Sequence, residues 1–199
     1  MGGEAVRIRA NGWRTVAAAF LLAFVVITPF ARGLFGGHSF YFRDLASFFI
    51  PVRTVEASAL AQGQLRYWDA LDHEGAPLPH PPLSYPLDAL QALAPGPFAI
   101  TLLLALHVPL AALALFALAR ALGASRLAAA GGGIVYALGG FGLSTISLYV
   151  YVQALAWTPL VVLALLRLAR GGRLLWAALA IALLTSTMAL EFLVQALLI

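Results

Sequence analysis

Long apolar runs dominate this chain, and arginine-bearing turns and one polar segment separate them. Each run has about the 20 apolar residues that a helix needs to cross a bilayer. Only 10% of the residues are charged, whereas soluble domains have about 25%. The sequence therefore predicts an all-α polytopic membrane protein with about five transmembrane helices. The predicted spans are 14–31, 98–119, 127–147, 151–168 and 174–199.

The basic composition does not indicate a nucleic-acid partner. The net charge is +4 and every basic residue is arginine. These arginines cluster at the ends of the apolar runs rather than on one face, which is the pattern of a membrane protein. The chain has no cysteine, so disulfides, thiolate zinc sites and cysteine nucleophiles are excluded.

The distribution of arginine predicts the orientation in the membrane. Eight of the twelve arginines fall before the first run or in the turns after the second and fourth runs. By the positive-inside rule this side is cytoplasmic, so segment 1–13 is inside and segment 32–97 is outside. The first run is long for a signal peptide and no clear cleavage site follows it, so we expect a retained helix. The last run reaches Ile199 with no polar tail, and we expect the chain to be part of a longer protein.

The outer segment 32–97 holds six of the eight acidic residues and is the candidate active site. From Leu45 to Ala59, apolar residues recur at helical spacing, which predicts an amphipathic helix lying along the membrane interface. Pro51 is expected either to kink this helix or to lie in its first turn. Asp44 has two interpretations: an N-cap beside Arg43, or a catalytic or ligand-binding carboxylate at the membrane surface.

The second half of the outer segment concentrates carboxylates and imidazoles. Such groups are metal ligands, but their spacing matches no established motif. The competing interpretation is a turn whose polar groups contact water. We therefore predict no metal site, although a divalent metal cofactor is compatible with the sequence. Trp68 and Tyr85 suit the aromatic belt of the interface. The polar residues of this half are Asp69, Asp72, His73, Glu74 and His80.

Two ionisable residues fall inside predicted spans, where such groups are costly and face protein or a watery cavity. For His107 we favour a neutral ring bonded to a neighbouring helix. Glu191 is placed toward the outer leaflet and is an intramembrane functional candidate.

The order of several short motifs resembles the YfhO-type bacterial membrane proteins, which are similar to GT-C glycosyltransferases. The motifs are FRDLASFFIPVR, GQLRYWDALDHEGAPL and SYPLDAL, with later similarity over about residues 120–170. The resemblance covers nearly the whole chain, about residues 40–195. The chain departs from the family pattern at Arg66-Tyr67 and Asp69-Ala70 and after Gly75, which leaves substrate detail open. The matching positions include Arg43, Asp44, Pro51, Arg53, Gly63, Trp68, Gly75, Tyr85 and Pro86.

The resemblance implies a transferase of the bacterial cytoplasmic (inner) membrane that moves a sugar from a polyprenyl-phosphate donor to a cell-envelope acceptor. Asp44 would then be the catalytic base, and Arg43 or Arg53 would bind the donor phosphate. Trp68, Asp69, Asp72, Glu74, His80 and Tyr85 would shape the loop or contact the acceptor. Membrane lipid is the surrounding partner.

Two other classes of function compete with the transferase. One is a transporter or a flippase subunit for lipid-linked saccharides, which should show broken helices near the midplane in paired halves. The other is a structural or assembly subunit, which no sequence feature specifically favours. The concentration of acids and aromatics in the outer segment, rather than inside the spans, favours the enzyme.

Overall fold

A computed structural model describes residues 2–69, 75–77 and 83–198, without the side chains of 2–11, 69 and 76. The described residues are almost entirely helical, as the composition predicts. Short 3-10 turns cover Thr28–Phe30, Pro86–Leu93 and Thr145–Ser147, and a π-helical turn covers Leu45–Phe49. The α-helices are α1 (Gly2–Ile27), α2 (Ala31–Phe35), α3 (Ile50–Ala61), α4 (Pro97–Ala121), α5 (Arg126–Leu138), α6 (Gly140–Ser144), α7 (Tyr149–Ala169), α8 (Leu174–Ser186) and α9 (Leu190–Leu197).

Four helical segments in the described residues are long and apolar enough to cross a membrane. They confirm that the chain has the character of an all-α membrane protein, and they match the first four predicted runs closely. The third segment is not one continuous helix, because α5 ends at Leu138, Gly139 is extended, and α6 begins at Gly140. The four segments are Gly12–Phe35, Pro97–Ala121, Arg126–Ser147 and Tyr149–Ala169.

The fifth apolar run differs from the prediction of a single helix over 174–199. It forms α8, which has 13 residues and ends at Ser186, and then the short helix α9. Between them Met188 adopts a φ of 65°, a left-handed conformation that an α-helix does not contain. Thr187 donates its hydroxyl to the carbonyl oxygen of Leu184 and so closes the last turn. The apolar pattern of the sequence is continuous across residues 174–199 and does not indicate this break between α8 and α9.

Helix α4 lies at the centre of the bundle, in contact with α1, α5 and α7. Its residues Leu104, Ala105, Ala111 and Ala112 have no exposed surface. The packing against α5 is close at Gly133, where an added Cβ would lie 2.8 Å from the carbonyl oxygen of Ala112. Small residues allow such backbone approach between membrane helices, where lipid provides no hydrophobic drive for association.

In its described residues, the outer segment consists of short helices, turns and one short β pair. The π-helical turn leads into α3, with Pro51 in the first turn of α3 as one of the two sequence alternatives requires. A two-residue antiparallel pair joins β1 (Trp68–Asp69) to β2 (Ala76–Pro77). The Pro86–Leu93 turn then packs on α3 and leads to α4. The α3 and Pro86–Leu93 parts of the segment are thus packed together and against α4.

The buried face of this helical stretch includes only part of the predicted apolar stripe, because Leu45, Phe49 and Ala59 are buried but the other members are not. Phe48 is exposed and Val52 and Val55 are only half-buried, whereas Arg53 and Glu56 are 3% and 9% exposed. The helix therefore turns a charged face toward the Pro86–Leu93 turn and the start of α7. The structure contains no membrane, so the predicted interfacial position of α3 stays a prediction.

Candidate functional site

A buried polar cluster joins the outer segment to the helical bundle. Arg53 lies at its centre: one guanidinium nitrogen (Nη1) is 2.8 Å from Glu56 Oε2 and 3.1 Å from Asp88 Oδ2. Its guanidinium also stacks over the ring of Tyr149, 5.0 Å from the ring centroid. Phe49 stacks on that same ring at 5.7 Å. Arg53 is therefore held on several sides by groups from α3, the 3-10 turn and α7.

Asp88 is the second centre of the cluster. Its Oδ1 accepts hydrogen bonds from the Tyr149 hydroxyl at 2.5 Å and from the Gln153 amide at 3.1 Å. The Gln91 amide donates to the same oxygen at 3.2 Å and also to the Tyr149 hydroxyl. All four side chains are at least nine-tenths buried, and Gln153 is a polar group inside a segment apolar enough to cross a membrane. Buried polar groups of this kind are retained where they are hydrogen-bonded.

The cluster has one guanidinium for two carboxyl groups. Burial raises the pKa of the Asp88 carboxyl, and the Arg53 charge only partly opposes that effect. Burial likewise raises the pKa of Glu56, again against the influence of Arg53. Burial by itself lowers the pKa of Arg53, but the Asp88 carboxylate and the other nearby groups outweigh it and the pKa is raised. Protons therefore bind this cluster more tightly than they bind isolated carboxyl groups.

Tyr85 connects the outer segment to the bundle at a second point. Its hydroxyl is 2.6 Å from His107 Nε2 and accepts a hydrogen bond of 2.8 Å from Trp157 Nε1. His107 Nδ1 lies 2.6 Å from the carbonyl oxygen of Leu103. Because that oxygen only accepts, Nδ1 carries the proton and Nε2 accepts from Tyr85. The ring of His107 is thus bonded to its own helix and to the outer segment rather than to a neighbouring span.

Tyr85 is 1% exposed, so its side chain is enclosed by protein rather than facing lipid or water. Trp68 is 54% exposed and has the exposure that a position in the interfacial belt requires. Its indole lies against Gly75, where an added Cβ would be 2.5 Å from Trp68 Nε1. Gly75 has a φ of 105°, a value that side-chain-bearing residues rarely adopt. Trp68 therefore fixes the short β pair.

Arg43 and Asp44 lie at the start of the helical stretch that leads into α3, and both are exposed. Asp44 makes no side-chain capping bond to the helix that follows, so the N-cap interpretation is wrong. Arg43 has a φ of 49°, which costs energy for a residue with a side chain and is typical of functional positions. Asp44 itself has ordinary helical angles, so its exposed carboxylate directly follows a strained residue and takes no part in capping the helix.

Both sides of this pair are anchored. Before it, the Phe40 amide donates to Thr101 Oγ1 of α4 at 2.9 Å, and the Phe40 ring packs on Phe30. After it, Leu45 is fully buried and Phe49 packs on Tyr149. The backbone of Arg43 and Asp44 is therefore held in place while the side chains face outward.

A polar groove of about 310 Å³ runs beside α3. Its walls carry hydroxyl and amide groups, and the hydroxyl of Thr54 has no hydrogen-bond partner in the described part of the chain. Arg66 and Gln64 also line a neighbouring cavity of about 20 Å³ that reaches Arg53 and Glu56, with room for about one water. The polar groove is lined by Thr54, Ser58, Gln62, Gln64 and Arg66, with Val55 and Ala59.

The other sequence-predicted site residues have mixed outcomes. Asp72, His73, Glu74 and His80 lie outside the described residues, and only the backbone of Asp69 is described, in β1. Glu191 is exposed in the first turn of α9 and interacts with the hydroxyl of Tyr151, rather than lying deep in a continuous span. Within residues 2–69, 75–77 and 83–198, no three potential metal ligands come together.

The sequence analysis did not single out Asp88, Gln91, Tyr149 or Gln153. One signal was present: Gln153 is a polar residue within an otherwise apolar run, which points to a buried partner. Nothing in the sequence paired it with Asp88, 65 residues earlier.

No protein-family model matches this chain, and no curated protein and no solved structure matches it either.

Proposed function

We propose that this protein transfers a sugar from a polyprenyl-phosphate donor to a cell-envelope acceptor, on the outer face of the cytoplasmic membrane. The observation that carries the proposal is the placement of Asp44. Its carboxylate is exposed, takes no part in helix capping and follows a strained residue between two anchored segments. The resemblance to the YfhO-type proteins rests on the quoted motifs alone and assigns the same residue.

In the proposed reaction, the oxygen of an acceptor hydroxyl attacks the anomeric carbon of the donor while the Asp44 carboxylate accepts the proton of that hydroxyl. The new carbon–oxygen bond forms while the bond from that carbon to the phosphate oxygen breaks. The polyprenyl phosphate leaves with the electron pair. A single displacement with one base inverts the anomeric centre.

The leaving phosphate needs a cation, and the two arginines from the sequence analysis differ in their availability. Arg53 is 3% exposed and is engaged by Glu56 and Asp88. Arg43 is exposed beside Asp44. We therefore assign the phosphate to Arg43 and give Arg53 the role of fixing α3 on the bundle. Arginine suits this task because its fork of donors matches phosphate oxygens.

The polar groove beside α3 is the proposed acceptor site. Hydroxyl and amide side chains both donate and accept hydrogen bonds, which fits the many hydroxyl groups of a saccharide. Thr54 follows Asp44 by ten residues of nearly continuous helix, a distance of about 15 Å. An acceptor that occupies the groove and also reaches Asp44 must therefore be longer than one sugar unit.

The test is transfer of radiolabelled sugar from polyprenyl-phosphate donors in membranes that contain the protein. Asp44→Asn keeps the size of the side chain and removes the base, so transfer should fall by about 10²- to 10⁴-fold. Ser47→Ala is the matched control, because Ser47 lies one turn on and bonds only the Arg43 carbonyl oxygen. Equal transfer by wild type and Asp44→Asn would remove Asp44 as the base.

A transporter or flippase for lipid-linked saccharides is the second candidate, and one observation favours it. Two apolar segments are interrupted, at Gly139 between α5 and α6 and at Met188 between α8 and α9. Broken helices form substrate and ion sites in many transporters. Movement of labelled polyprenyl-linked saccharide across proteoliposomes, without any sugar transfer, would replace the transferase by this function.

A further inference from the structure

An apolar groove of about 360 Å³ separates α7 from α8. The two helices run antiparallel from the tight turn at 170–173. Gly172 allows this turn, since an added Cβ there would lie 2.6 Å from the Arg167 carbonyl oxygen. Aliphatic side chains form the walls, and the rest of the lining is two tryptophans, two arginines and Gly172. The principal aliphatic residues are Leu160, Leu163, Leu179, Ala180 and Leu183.

Positive charge is confined to one end of this groove. Arg167 in the last turn of α7 and Arg173 just before α8 both line it there. Both are exposed, and no acidic side chain in the described part of the chain forms an ion pair with either. Trp176 is 59% exposed beside them. This arrangement is a basic, aromatic rim above an apolar channel.

The length of the groove along α7 matches the thickness of one leaflet of the bilayer. From Arg167 to Trp157 the groove follows ten residues of α7, which is about 15 Å of helix. The hydrocarbon core of a bilayer is about 30 Å thick, so the groove spans about half of it. The occupant that fits is an amphiphile with an anionic head and an apolar chain of leaflet length.

We propose that this groove binds one acidic phospholipid, with its phosphate between Arg167 and Arg173 and an acyl chain along α7 and α8. Basic pockets between membrane helices on the cytoplasmic side bind anionic lipid heads in this way. The arginine distribution predicts that this turn is cytoplasmic. The site therefore lies on the opposite side from Asp44, and the phospholipid is distinct from the proposed sugar donor.

The test is quenching of tryptophan fluorescence by brominated lipids in micelles. Trp13→Phe and Trp68→Phe leave the groove residues Trp157 and Trp176 as the only reporters. Brominated phosphatidylglycerol should quench at much lower mole fraction than brominated phosphatidylcholine. In this background Arg167→Gln with Arg173→Gln should reduce the preference for the acidic lipid roughly thirtyfold.

Arg170→Gln is the matched control, because Arg170 is in the same turn but does not line the groove. It should keep most of the preference for phosphatidylglycerol. Ala180→Phe fills the groove without changing charge, and it should weaken quenching by both lipids. Helix content by circular dichroism verifies that each variant is folded.

Four outcomes would overturn the proposal. Equal quenching by the acidic and the zwitterionic lipid would show that the arginines select no head group. An equal loss in Arg170→Gln would indicate general charge attraction rather than a site. Absence of quenching by both lipids would show that protein, not lipid, occupies the groove. A brominated polyprenyl phosphate that outcompetes phosphatidylglycerol would also exclude the phospholipid as occupant.

Discussion

Asp88 connects the outer segment to the helical bundle through buried polar contacts. It pairs with Arg53 of α3 and accepts hydrogen bonds from Tyr149 and Gln153 of α7. Taking such charges out of water is costly, and removal of one partner leaves the other buried without compensation. The cluster therefore fixes one position of the outer segment strongly, whatever its net contribution to stability.

Asp88→Asn should lower the free energy of unfolding by about 3–5 kcal/mol, since it leaves Arg53 buried with a weaker partner. The measurement is reversible unfolding in mixed micelles, followed by circular dichroism. Asp44→Asn is the control: it changes an exposed carboxylate of the same segment and should alter stability by less than about 0.5 kcal/mol. Equal effects of the two substitutions would contradict the anchoring role of Asp88.

Tyr85→Phe removes the hydroxyl that serves both His107 and Trp157. Leaving buried polar groups unpaired costs about 1–3 kcal/mol, and unfolding in micelles should show a loss of that size. Adding His107→Leu should recover part of it, because an apolar side chain needs no partner. If the double variant is much less stable than Tyr85→Phe, packing of the ring rather than its hydrogen bonds is the dominant effect.

At the scale of elements, α3 and α5 show how contacts select a helix face. The π-helical turn at Leu45–Phe49 adds one residue to the helical period, which rotates the following residues relative to a regular helix. The face of α3 that meets the bundle accordingly carries Arg53 and Glu56. In α5, the face that meets α4 is defined by Gly133 rather than by large apolar residues.

Two glycines of α5 provide a matched pair. Gly133→Ala places a methyl group 2.8 Å from the Ala112 carbonyl oxygen, and overpacking of this kind costs about 1–3 kcal/mol. Gly131→Ala meets nothing within 4 Å, so the better helix propensity of alanine should leave stability unchanged or raise it by up to about 1 kcal/mol. The comparison uses thermal unfolding in one detergent. Similar effects at both positions would exclude close packing of α4 on α5.

At the scale of the whole molecule, the described residues contain four segments long and apolar enough to cross a membrane, and the predicted orientation assigns the loops between them to opposite sides. The chain has no cysteine, so single introduced cysteines report on sidedness directly. Gln62→Cys, after α3, should react with an impermeant maleimide in intact cells. Leu122→Cys, in the turn after α4, should react only after the membrane is opened. The reverse pattern would overturn the predicted orientation.

The sequence by itself indicated an all-α membrane protein and located four helical segments of the length and apolar character that a membrane span needs. A soluble domain with so few charged residues could not bury this many apolar side chains, whereas a bilayer can surround them. The thickness of the bilayer sets the length that each spanning helix must have. These constraints act within one segment at a time, so they can be read locally. The helix in the outer segment was predicted from local apolar spacing, and the position of Pro51 in its first turn was one of two alternatives.

Only the tertiary structure decided which polar groups meet. Arg53 was expected to face a ligand, yet it is buried against Asp88, and Tyr85 is enclosed by protein and bonds His107. The break at Met188 lies in a run whose composition alone predicts one helix. The physical reason is that these hydrogen bonds and ion pairs form between residues far apart in the chain. The local spacing of apolar residues does not indicate which distant residues will meet.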